Sequence, residues 1–245
     1  MLTDKFVFRP VLTVLSLIGL MVLCSLGTWQ LKRLQWKEGL IAQVEARRST
    51  SPIDLAGLIR DRGNLLDSDN AYTPVLATGA FVHDLEAHVF GTLDAVAGYY
   101  VFTPLKLEEA LPAGAAYVYV NRGFVPQDKK SQGSRPDGDI AGRVTVEGLF
   151  RLPEREGGLA DVFRAPNDID GNVWHERRPR SFREVATIEA ADFYIDSLGK
   201  ENTGAWPKGG TTRIEFSNRH REYAFTWFGL AATLIVVFAL FSRRT

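Results

Sequence analysis

Two long runs without a charged side chain, one near each end, constrain the fold of this chain more than any other feature of its sequence. They extend from Val11 to Trp29 and from Tyr223 to Phe241. At about 1.5 Å per helical residue, each run is close in length to the roughly 30 Å of hydrocarbon in a bilayer. We therefore predict a membrane protein with two transmembrane α-helices, one N-terminal and one C-terminal.

The two runs divide the chain into five predicted segments. These are an N-terminal segment 1–10, a first transmembrane helix 11–30, an extramembrane domain 31–222, a second transmembrane helix 223–241 and a C-terminal segment 242–245. The first run could instead be a secretory signal peptide, but no small-residue cleavage site follows it, which favours a retained anchor. Two spans place both termini on the same side of the membrane.

The charge balance and the sulfur-containing residues exclude several classes of function. The chain has 29 basic and 29 acidic residues, a balance that argues against nucleic acid as a partner and favours membrane lipid or protein. Cys24 is the only cysteine and lies in the first apolar run, so the extramembrane domain has no intrachain disulfide and no CxxC site. With Met1 and Met21 as the only methionines, a Met-rich copper site is also excluded.

The sequence lacks the short motifs that mark common enzyme families. It contains no GxSxG, HExxH, GxGxxG or P-loop string, so we expect no catalytic residue and predict that the protein is not an enzyme. An alternative is a membrane-anchored periplasmic enzyme whose active site has no such motif. That alternative requires a polar cleft with convergent titratable groups in the extramembrane domain.

The extramembrane domain alternates apolar and polar residues with the period of a β-strand. Strands are predicted at residues 75–81, 87–90, 99–107, 116–125, 143–152 and 193–198. We predict a β-rich α+β domain with a mainly antiparallel sheet or barrel, whose core includes Val118, Val120, Val144 and Val146.

Helical and polar segments surround the predicted strands. The first membrane helix is expected to continue as an amphipathic stalk to about Arg48. A short helix from Ile53 to about Arg60 is predicted with Ser51 as its N-cap, and another is predicted after Ser181. Residues 127–142 are rich in Gly, Pro and Asp and are predicted to form a polar loop.

Three of the four histidines give little indication of a binding site. His83 and His88 flank Asp84 and Glu86, but a spacing of five residues places two rings on opposite faces of a strand. We therefore predict exposed polar residues at a turn rather than a metal site. His175 lies in a charged loop and is predicted to be solvated.

His220 is the exception because it lies within one turn of the second apolar run. On a helix, Tyr223 and Trp227 follow it at three and seven residues and form an aromatic stripe on the same face. An imidazole at this position could be the axial metal ligand of a haem, with Arg219 and Arg221 available to its propionates. The alternative is a histidine that lies among lipid headgroups without binding a metal.

Four strings, in order along the chain, resemble one family, the Surfeit locus protein 1 family of cytochrome c oxidase assembly factors. The matching strings lie at residues 26–37, 98–105, 120–126 and 218–227, between or beside the two apolar runs. The sequence departs from the family at Phe124, where tryptophan is common, and at residues 174–178.

The resemblance implies a function and an orientation that the residues alone leave open. It implies an assembly factor that assists the delivery or insertion of haem a, with His220 as a haem ligand and the catalytic subunit of cytochrome c oxidase as partner. Haem a synthase is a further expected partner. It also implies a bacterial inner-membrane protein with a periplasmic central domain and cytoplasmic termini, although Lys32, Arg33 and Lys37 weakly favour the opposite orientation. A structural scaffold for oxidase assembly that binds no haem is the alternative.

Overall fold

A computed structural model of the chain describes residues 5–6, 10–61, 67–112, 114–155, 157, 159–202, 204–211 and 219–244. The chain divides into two compact units. One contains Met1–Glu45 and Glu215–Thr245, and the other contains Ala46–Ile214.

The described residues contain the following helices and strands. The helices are α1 (Pro10–Arg48), α2 (Leu55–Asp61), α3 (Leu159–Val162), α4 (Pro179–Ala186) and α5 (His220–Ser242). The strands are β1 (Lys5–Phe6), β2 (Ile53–Asp54), β3 (Pro74–Phe81), β4 (Ala87–Leu93), β5 (Val96–Leu107), β6 (Tyr117–Pro126), β7 (Arg143–Arg151), β8 (Ala190–Ser197) and β9 (Arg243–Arg244).

The first unit contains α1 as far as Glu45, the long helix α5 and the short antiparallel pair of β1 with β9. Both helices are long and apolar enough to cross a membrane, and only 6% and 11% of their most apolar stretches are buried. A core helix of a soluble protein would be mostly buried, so these exposed surfaces support association with a membrane. α1 continues past the apolar run to Arg48, which confirms the predicted extension of this helix.

Small residues let α1 and α5 approach closely. A Cβ atom at Gly27 would lie only 2.8 Å from the ring of Phe228, and one at Gly19 would lie 3.2 Å from Leu234. Ala224 and Ala231 of α5 are buried, although most of that helix is exposed. Small residues at the contact are typical of helix pairs in lipid, where close van der Waals packing replaces the hydrophobic effect.

The second unit is built on a closed barrel of five strands. Around the barrel the order is β3, β7, β8, β6 and β5, and pairing of β3 with β5 closes the ring. β6 and β8 run parallel, whereas the other barrel pairs are antiparallel. β4 extends the sheet beyond β5, and β2 adds a short parallel pair to β3. The predicted fold class, two apolar terminal helices around a β-rich domain, is confirmed.

Two apolar clusters lie on opposite faces of β6. Val118 and Val120 belong to a cluster with residues from all five barrel strands and from α2. Tyr119 belongs to the other cluster, where it packs against Phe182 of α4. The alternation of valine and tyrosine in this strand therefore reports burial on both faces. Of the four predicted core valines, Val118, Val120 and Val146 are fully buried, and Val144 is half-buried against the same cluster.

The predicted start of the first short helix is wrong. α2 begins at Leu55, because Ile53 and Asp54 pair with β3 instead of entering the helix. The cap is Asp54, whose Oδ2 accepts a hydrogen bond from the backbone N–H of Gly57 at 3.1 Å. An aspartate satisfies the free N–H groups of a first turn as well as a serine does, so local sequence did not distinguish Ser51 from Asp54.

Candidate functional site

His220 is the first residue of α5, and its ring contacts α1. The ring nitrogen Nδ1 lies 2.7 Å from Oε1 of Gln30, and both residues are half-buried. An amide oxygen has no proton to give, so this contact is a hydrogen bond when Nδ1 of the ring carries the proton. In that tautomer the other ring nitrogen, Nε2, has the lone pair and is the nitrogen able to bind a metal.

The close contact of the two helices brings Gln30 within reach of His220. Gln30 lies three residues after Gly27, so both are on one face of α1. On α5, the buried Ala224 follows His220 by four residues and Phe228 follows it by eight, again on one face. The Gly27–Phe228 contact and the Gln30–His220 hydrogen bond therefore belong to one helix–helix interface.

The other predicted site residues lie in the first two turns of α5 or directly before it. Arg219 and Arg221 are exposed, Tyr223 is 52% exposed and Trp227 is half-buried. Asn218, which contributes to the family resemblance, lies outside the described residues. Gln30 was not predicted as a site residue, although its position as a polar residue at the end of an apolar run was a usable signal.

A second cluster of polar residues lies in the β-rich unit and is centred on Glu86. Its Oε1 accepts a hydrogen bond from Thr103 at 2.9 Å and lies 3.4 Å from Nδ1 of His83. Its Oε2 accepts a hydrogen bond from Nη2 of Arg135. Nη1 of Arg122 lies 3.6 Å from Oε1, and both arginine side chains are fully buried. Two guanidinium groups thus share one buried carboxylate.

The environment of this cluster shifts the pKa of its members. Burial alone would raise the pKa of Glu86, but hydrogen bonds from His83 and Arg135 outweigh it and hold the pKa at about 2. The hydrogen bond to Glu86 raises the pKa of His83, and burial lowers the pKa of His88 to about 4. Glu86 is therefore ionised and His88 neutral at physiological pH.

The prediction that His83 and His88 are exposed residues on opposite faces is wrong. Residues His83–Leu85 form a turn of 3-10 helix, which brings the rings of both histidines within 4 Å of Glu86 carboxylate oxygens. Arg135, in the predicted polar loop, is also buried. Because the two arginine side chains have no exposed surface, a substrate in solution cannot reach them, and the cluster is an internal charge network.

The β-rich unit also has an open cavity of about 380 Å³, lined by residues 152–155 and by Arg178, Arg180 and Asp192. Both of its carboxylates are paired: Glu154 lies 2.9 Å from Arg164, and Asp192 lies 3.1 Å from Arg183. Among the described residues, no group of three or more His, Cys, Asp and Glu side chains could hold a metal ion.

Comparisons with known proteins place this arrangement in a family. A sequence model of the SURF1 family matches residues 17–232, a range that includes Gln30 and His220. Surfeit locus protein 1 of Mus musculus is 33% identical over 238 residues, which cover 90% of this chain and 72% of the mouse protein. The human protein of that name is 32% identical over 238 residues, with 90% and 74% covered. A SURF1-like protein of Rickettsia conorii is 28% identical over 236 residues, with 94% and 90% covered. The chain therefore belongs to the SURF1 family.

Proposed function

We propose that this protein assists the assembly of a haem–copper terminal oxidase, cytochrome c oxidase, by holding haem a and delivering it to the catalytic subunit. The observation that carries the proposal is the imidazole of His220, which lies at one end of an apolar helix with Nδ1 bonded to Gln30. In the tautomer that donates Nδ1–H to Gln30, Nε2 has the lone pair that can bind a metal. Membership of the SURF1 family is the second support.

The residues at this end of α5 fit a haem in their chemistry. An imidazole nitrogen is a common axial ligand of haem iron, and guanidinium groups pair well with carboxylates. His220 would hold the iron, the exposed Arg219 and Arg221 would pair with the propionates, and Tyr223 and Trp227 would contact the apolar macrocycle. Haem a is cargo in this proposal, so the chain itself is required to make or break no covalent bond.

The location suits the transfer of an apolar cofactor. Haem a is apolar apart from its propionates, so its passage through water is unfavourable. A site at the end of a membrane helix would let the macrocycle stay in an apolar environment while the propionates face polar groups. The catalytic subunit of the oxidase would receive the haem, and haem a synthase would supply it.

We expect His220→Ala to deplete the haem that copurifies with the protein while leaving expression and membrane insertion unchanged. Loss of a residue that merely supports a metal ligand lowers affinity about 10–100-fold, so loss of the ligand itself should cost at least about tenfold. The measurement is the Soret absorbance per mole of protein, after purification in detergent from cells that synthesise haem a.

His175→Ala is the matched control, because it removes an imidazole from the β-rich unit and should keep the parental haem content. Equal haem content in the parent and in His220→Ala would show that His220 is not the ligand. A second outcome is that the parent protein never carries haem, although deletion of its gene still impairs the oxidase. That result would favour the scaffold, which acts through protein contacts alone.

We also propose that both termini are cytoplasmic and that the central domain is periplasmic in a bacterial inner membrane. The antiparallel pairing of β1 with β9 supports termini on one side, and the family resemblance supports the side. Reporter fusions at Thr245 and within residues 127–142 test this topology. We expect periplasmic reporter activity only from the loop fusion, and cytoplasmic activity from that fusion would contradict the orientation.

A further inference from the structure

The hydrogen bond between Gln30 and His220 has consequences beyond helix packing. It joins two residues 190 positions apart in the sequence, at an Nδ1 to Oε1 distance of 2.7 Å. Gln30 is half-buried and follows an apolar run in which no charged residue occurs. A glutamine in such surroundings needs a partner for its amide, because an unpaired polar group away from water costs about 1–3 kcal/mol.

The identity of the acceptor decides which nitrogen of His220 carries the proton. A neutral imidazole has one N–H and one lone pair, and either nitrogen can hold the proton. An amide oxygen opposite Nδ1 stabilises the Nδ1–H form and leaves the lone pair on Nε2. The same arrangement, a ring N–H donated to an oxygen acceptor, orients most histidines that bind metals in proteins.

We infer that Gln30 is a positioning residue, which holds the ring of His220 as the Nδ1–H tautomer and so presents Nε2 to the iron of haem a. This inference rests on the proposed function for the iron, but the tautomer can be measured without haem. Gln30 contacts no metal itself and acts only through the orientation and protonation of His220. The helix contact between Gly27 and Phe228 keeps the two side chains within hydrogen-bonding distance.

Two substitutions test whether position 30 needs a hydrogen-bond acceptor or only a side chain of similar volume. Gln30→Leu fills a similar volume but has no acceptor, so the ring of His220 should lose its tautomer preference and its fixed orientation. Gln30→Glu keeps an oxygen opposite Nδ1 and should restore both. Gln35→Leu, at an exposed position of the same helix, is the control for a change from glutamine to leucine.

The first measurement uses haem-free full-length protein, labelled with ¹⁵N-histidine and purified in detergent at neutral pH. The His220 signal is identified by its absence from His220→Ala, and its nitrogen shifts report the tautomer. We expect Nδ1–H in the parent, in Gln30→Glu and in Gln35→Leu, and a mixture or Nε2–H in Gln30→Leu. An Nε2–H tautomer in the parent would overturn the inference, because Gln30 would then present its amide N–H to Nδ1.

The second measurement is the haem content of the same variants from cells that synthesise haem a. Gln30→Leu should retain haem about 10–100-fold more weakly than the parent, and Gln30→Glu and Gln35→Leu should retain it normally. Parental haem retention in Gln30→Leu would refute the positioning role. If the parent carries no haem, the proposed function fails, and the tautomer data alone decide whether Gln30 sets the protonation of His220.

Discussion

Glu86→Ala is expected to destabilise the β-rich unit by about 3–5 kcal/mol, because it leaves two fully buried guanidinium groups without their shared carboxylate. Arg122 and Arg135 have no exposed side-chain surface through which water could replace that partner. The measurement is the free energy of unfolding in urea, followed by near-ultraviolet circular dichroism on the full-length protein in detergent.

Glu108→Ala is the matched control, since it removes a carboxylate from an exposed pair. Glu108 and Arg143 are 48% and 72% exposed, and Nη2 of Arg143 donates to Glu108 at 3.1 Å. Exposed pairs contribute little, so this variant should unfold at nearly the parental urea concentration. Similar losses in both variants would contradict the buried network as a source of stability.

The same network makes a prediction about pH. The pKa of Glu86 is about 2 in the folded protein against an ordinary value of 4.5. A depressed carboxyl pKa stabilises the fold fully above the unfolded value, and that stability is lost as pH falls from 4.5 toward 2. Glu86→Ala should therefore show a shallower loss of stability than the parent over this range of pH.

Gly123→Ala is expected to destabilise the β-rich unit by more than about 3 kcal/mol, through backbone strain and steric overlap together. Gly123 lies in β6 with φ of +116°, in a region that favours glycine. A Cβ atom there would overlap the backbone carbonyl of Lys208. That carbonyl accepts a hydrogen bond from the Phe124 N–H at 3.1 Å, so it cannot move freely. Thermal unfolding of the full-length protein provides the measurement.

Gly142→Ala measures the cost of backbone strain alone. Gly142 has φ of +78°, but no heavy atom lies within 4 Å of the position that its added Cβ would take. It should cost only about 1–2 kcal/mol. If the two alanine variants melt at the same temperature, the close approach of residues 208–209 to β6 does not constrain position 123.

The sequence predicts only some of the residues that form the candidate site. His220 was identified because a histidine beside an apolar run is unusual, and that property is local. The position of Gln30 at the end of an apolar run marks it as an unusual polar residue, but its partner lies on the other helix, and no pattern within one segment predicts that contact. The prediction for His83 and His88 is wrong because it requires a continuous strand, whereas a 3-10 turn at His83–Leu85 rotates the first ring back toward Glu86.

The sequence by itself determined the elements whose signals are local. The two uncharged runs required helices long enough to cross a bilayer, and the alternation in Tyr117–Val120 required a strand buried on both faces. Tertiary structure alone decided how these elements combine. β3 closes the barrel by pairing with β5, and Arg135 reaches Glu86 across 49 positions of sequence. Side-chain periodicity indicates which face of a helix or strand is apolar. It does not indicate which other element that face contacts, because this choice depends on the topology of the whole fold. The charge network around Glu86 and the Gln30–His220 hydrogen bond therefore appear only in the folded chain.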